Sequence, residues 1–124
     1  MESILLSVKK FIGLDPEYNV FDPDLLILIN SSFSVLNQLA VGPKEGFKVT
    51  NITETWEDVI GSKKYLELIK EYICIKVKLV FDPPSSSTVY KAFEERVAEL
   101  EWRLNAFEDR ESVQEVIDAY SQEE

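Results

Sequence analysis

"KLVFDPPSSSTVYKAF", residues Lys78 to Phe93, decides how this chain folds. An apolar run with helical spacing stops at two prolines, crosses three serines and restarts as a second helical pattern. Asp82 precedes Pro83 and is thereby pushed out of the helical region. Pro84 stiffens the connection further. Ser85, Ser86 and Ser87 each offer an N-cap hydroxyl to the following helix. The turn is therefore preset in the unfolded chain, and fixing it costs little conformational entropy.

Upstream of this joint, Lys63 to Phe81 reads as a helix whose polar residues Lys63, Glu67, Lys70, Glu71, Cys74 and Lys78 fall on one narrow arc. The rest of its circumference is apolar, as a central helix buried against several neighbours requires. Downstream, a helix from Thr88 to about Phe107 carries the stripe Val89, Tyr90, Phe93, Val97, Leu100, Leu104 and Phe107.

Further out, Ile4, Leu5, Val8, Phe11 and Ile12 share one face of a first helix that stops near Gly13. A loop with two Asp-Pro turns leads to a second helix, for which Asp22 is the expected N-cap and Pro23 the first helical residue. Its stripe runs from Leu25 through Leu26, Ile29, Phe33 and Leu36 to Ala40. "FKVTNIT" (residues 47–53) is short and β-prone, and reads as an extended loop able to pair with another copy of the chain. "TWEDVIG" (residues 55–61) reads as one helical turn capped by Thr55 and ended by Gly61.

The expected fold is all-α: a small bundle of four main helices joined by ordered loops. The expected organisation is a helical domain over residues 1–105 followed by an acidic tail over 106–124. In that tail Val113, Val116, Ile117 and Tyr120 share a helical face, so it is either a docked fifth helix or a frayed end.

Composition agrees with a folded domain. The chain has 124 residues, of which 45% are hydrophobic, enough for a real core. No uninterrupted apolar run is long enough for an ordinary membrane span. The first residues place their lysines after the apolar positions, the reverse of a secretory signal, so a cytosolic chain is expected. Net charge is −10, and residues 94–124 hold eleven acids against three arginines. Nucleic-acid binding by counterion release is excluded by that sign.

Two residues break their own amphipathic pattern. Lys76 falls in the middle of the apolar arc of its helix and needs a carboxylate, an exposed edge or a subunit contact. Trp102 falls opposite the apolar stripe of its helix, among Lys91, Glu95 and Ala98. It is either covered by the tail or the first helix, or an interface anchor, the role for which tryptophan is enriched. Trp56 divides in the same way between anchoring a loop and contacting a partner.

The chain has no histidine, which removes Ser/His triads and imidazole metal ligands. Cys74 is a lone cysteine between Ile73 and Ile75, so it reads as a structural thiol. Four glycines form no phosphate-cradling loop. "ETWE" (Glu54, Glu57) and "EVID" (Glu115, Asp118) resemble the paired acids of all-α, magnesium-dependent nucleotide pyrophosphohydrolases, but nearly half the chain separates them. An acidic DNA mimic would need carboxylates at phosphate spacing, and the lysines of the third helix interrupt any such array.

Together, "INSSFSVLNQLAVGP", "TWEDVIG", "YICIKVKLVFDPPSSS" and "ELEWRLN" resemble, in order and spacing, the head–tail connector (adaptor or head-completion) proteins of tailed bacteriophages and prophages of Gram-positive bacteria. The resemblance covers Met1 to about Asn105. It implies a helical bundle that assembles as a ring, commonly twelve-fold, beneath the portal protein of the filled capsid. Such a ring extends the channel, lets DNA pass without specific binding, and receives a stopper or tail-completion protein. It implies no catalysis, cofactor or membrane, and a life divided between the host cytoplasm during assembly and the head–tail interface of the virion. Under it, Trp56, Lys76, Pro83, Pro84, Glu95 and Trp102 are the expected subunit or portal contacts, and Glu95 and Glu99 the expected luminal acids. The alternative is a soluble acidic helical adaptor for a host protein.

Overall fold

A computed structural model of the chain describes residues 2–41, 48–60 and 65–122, with side chains throughout except at 108–113 and 122. Five helices follow in chain order: α1 (Ile4–Ile12), α2 (Asp22–Gln38), α3 (Trp56–Ile60), α4 (Leu66–Phe81) and α5 (Ser87–Gln122). The all-α bundle expected from the sequence is the observed one. The expected start at Lys63 and the stop at Gly61 lie outside the described residues.

α4 is the central helix and packs against the other four. Ile69, Tyr72, Ile73, Ile75 and Val77 are buried on it, facing Leu5 and Val8 of α1, Ile29, Phe33 and Leu36 of α2, and Leu100 and Leu104 of α5 within one core. Burial of such aliphatic side chains stabilises by about 1.5–3 kcal/mol each.

The joint after α4 closes as its chemistry requires. Asp82 leaves the helix at φ −144° and ψ 68°. Among the three serines, Ser86 takes the cap: its hydroxyl accepts from the Val89 amide at 3.3 Å, and its carbonyl from the Tyr90 amide at 3.0 Å. α5 then returns antiparallel along α4. Glu71 meets Arg96, Tyr72 meets Glu101, and Tyr65, just before α4, stacks on Phe107 at 5.9 Å between ring centroids.

That last pair marks where α4 begins, yet α5 continues to Gln122. The acidic tail is thus neither a separate docked element nor a frayed one: it is the second half of one 36-residue helix. The helix crosses the expected 105/106 boundary without a break. Beyond Phe107 about 15 residues, roughly 22 Å of helix, extend past the hairpin. Every described side chain there, from Gln114 to Ser121, is exposed.

α1 and α2 both stop in the left-handed motif that satisfies terminal carbonyls. After α1, Gly13 adopts φ 87°, with its amide on the Lys10 carbonyl and the Leu14 amide on that of Lys9. After α2, Ala40 adopts φ 64°, with its amide on Asn37 and the Val41 amide on Leu36. Ala40 is therefore past the helix end and not part of its stripe.

Candidate assembly surfaces

Packing within one chain uses several of the residues that the sequence offers as contacts. Trp56 opens α3 and is 1% exposed, with its indole Nε1 donating to Ser7 Oγ at 2.9 Å. Thr55 and Asp58 cap the same turn reciprocally: each backbone amide donates to the other's side-chain oxygen at 3.1 Å. Within the chain Trp56 therefore takes the first of its two readings, loop anchoring.

The β-prone loop is likewise satisfied internally. Asn30 of α2 accepts from the Val49 amide at 2.7 Å and donates to the Val49 carbonyl at 2.8 Å, imitating a strand partner. Glu54 accepts from the Thr50 hydroxyl at 2.8 Å and the Asn51 amide at 3.0 Å. Burial alone would push the Glu54 carboxyl up, but these bonds outweigh it and hold it below the usual range. Glu54 is thus committed to its loop.

Lys76 is half-buried, with its ammonium 5.8 Å from the centroid of the Tyr72 ring. Among the described side chains no carboxylate reaches ion-pair distance of it, so the expected bridge to α5 is not formed; the ring face receives the charge. Tyr72 itself donates to Glu101 Oε1 at 3.1 Å. Burial and that carboxylate push its phenol well above the usual range.

Sequence reasoning missed a buried cation. Lys9 of α1 is fully buried, and its ammonium donates to Asp22 Oδ1 at 2.9 Å and the Pro16 carbonyl at 3.0 Å. Asp22 therefore does not cap α2. It is the first residue of the helix, no side chain caps that end, and Phe21 precedes it. A buried ammonium costs far more unpaired than a missing cap does. The signal was weak: at about 100° per residue Lys9 falls just past Leu5, on the edge of the apolar stripe.

Two polar clasps set the position of α5. Arg96 grips Glu71 of α4 with Nε on Oε1 at 2.9 Å and Nη2 on Oε2 at 2.7 Å, and also holds Glu99 at 2.9 Å. Asn105, which closes the "ELEWRLN" segment, donates to the carbonyl of Leu39, the residue that caps the end of α2, at 2.7 Å. Glu99 is therefore partly neutralised, whereas Glu95 stays exposed in a shallow depression with Lys91 and Thr88.

Trp102 is 74% exposed, covered by neither the tail nor α1. With Arg103, Ala106 and Phe107 it lines an open depression of about 190 Å³. A second apolar group lies at the other end of the hairpin, where the exposed Tyr18 and Phe21 and the half-buried Phe81 stack edge to face at 5.8 and 5.2 Å. Pro83 and Pro84 form the tip next to it. The six residues expected as contacts do not converge. Glu95 and Trp102 share the outer face of α5, the prolines cap one end, and Trp56 is inside.

A cleft between α1 and α4 holds Glu2, Lys70, Glu67 and Cys74. Lys70 lies 3.5 Å from Glu2 and 3.6 Å from Glu67. Burial pushes the Cys74 thiol up to about 12, where it is a poor nucleophile. Among the described residues no group of three or more acids and cysteines is placed to hold a metal, and no helix is long and apolar enough to cross a membrane.

A family model described as phage connector protein matches residues 4–111. No curated protein and no solved structure matches the chain.

Proposed function

This chain belongs to the phage connector family, and from that premise we propose that it assembles as a closed ring beneath the portal protein, extends the DNA channel, and receives a stopper or tail-completion protein. Its connector role is structural, and no step of it is catalytic. Twelve copies is the stoichiometry we assign, with assembly in the host cytoplasm and final residence at the head–tail interface.

The observation that carries this reading is the exposed Trp102 on α5, an indole left in solvent by a chain that buries all of its other tryptophan surface. A head-to-tail ring needs two different faces on each subunit. Trp102 with its depression supplies one, and the Tyr18–Phe21–Phe81 group at the opposite end of the hairpin supplies the other. Pro83 and Pro84 fix the angle between α4 and α5, and angular errors accumulate around a closed circle. Exposed acids such as Glu95 suit a lumen along which DNA slides without adhering.

The test mixes this chain with the portal ring from the same genome and examines the product by negative-stain electron microscopy and native mass spectrometry. A defined multiple of the 14.3 kDa subunit added at one end of the portal is expected. A folded chain that leaves the portal bare would overturn the reading and favour an adaptor for a host protein.

A further inference from the structure

We draw no further inference here: the strongest candidate, the outer face of α5 with its exposed Trp102, Val116, Ile117 and Tyr120, is an unpartnered apolar face, and nothing in the structure shows what covers it.

Discussion

The guanidinium of Arg96 meets the carboxylate of Glu71 edge to edge, joining the first third of α5 to the first half of α4 by two parallel hydrogen bonds of 2.9 and 2.7 Å. Only arginine offers that planar fork. Both side chains keep roughly a third of their surface in solvent, so the pair fixes register more than it adds stability. Arg96→Lys is expected to lower the thermal midpoint slightly, and less still in high salt, while broadening the amide signals of α5. Equal sharpness of those signals in both proteins would remove the registering role.

The buried Lys9–Asp22 pair behaves differently. Asp22→Asn leaves a fully buried ammonium with the Pro16 carbonyl and a neutral amide. A loss of about 3 kcal/mol in urea unfolding is expected, near the lower end for breaking a buried pair because the carbonyl stays. Lys9→Met removes the charge itself and is expected to cost less than half as much. The reverse order would show that Asp22 matters mainly at the start of α2.

Two helix stops of one design permit a paired test. Ala40 holds a left-handed φ of 64° where Gly13 holds 87°, and an L side chain is penalised there by about 1 kcal/mol. Ala40→Gly is expected to stabilise by about that amount, and Gly13→Ala to destabilise similarly. Added Cβ atoms at Gly13 would touch nothing within 4 Å, so the second change isolates the backbone term. Chemical unfolding of both variants reads the effect.

Glu54 predicts a pH dependence with a definite sign. Although burial pushes its carboxyl up, bonds from Thr50 and Asn51 hold it below the usual 4.5. Folding therefore favours the ionised form, and its contribution is present above that value and lost as pH falls through the lower folded one. The Thr50 and Asn51 amide resonances are expected to titrate together with a midpoint below 4.5, and Glu54→Gln to abolish the transition. A midpoint above 4.5 would mean that burial prevails.

The helices were legible because their signals are local. Pro83, Pro84 and the three serines specify the joint without help from the rest of the chain, and the stripe from Tyr90 to Phe107 specifies the α5 face that α4 covers. Residues whose role depends on a distant partner were not legible. Asn30 and Asn105 look like ordinary polar helix residues until the amide of Val49 and the carbonyl of Leu39 arrive from 19 and 66 positions away. Asp22 has an attractive local role as a cap, and a remote lysine outbids it. Trp102 shows the converse: its place opposite the stripe raised the question of exposure, and only the tertiary arrangement answered it, because none of the described helices covers the outer face of α5 at the indole.

The overhang of α5 also has a mechanical meaning. The helix is held by its first half, with the Asn105–Leu39 bond and the Tyr65–Phe107 stack at the last points of support. Beyond them it is a lever: a tilt of about 10° at Phe107 would carry the far end through roughly 4 Å, given about 22 Å of unsupported helix. Small adjustments in the first turn of α4 are thereby magnified at Tyr120, and the reach of this subunit is governed by residues that never touch what it reaches.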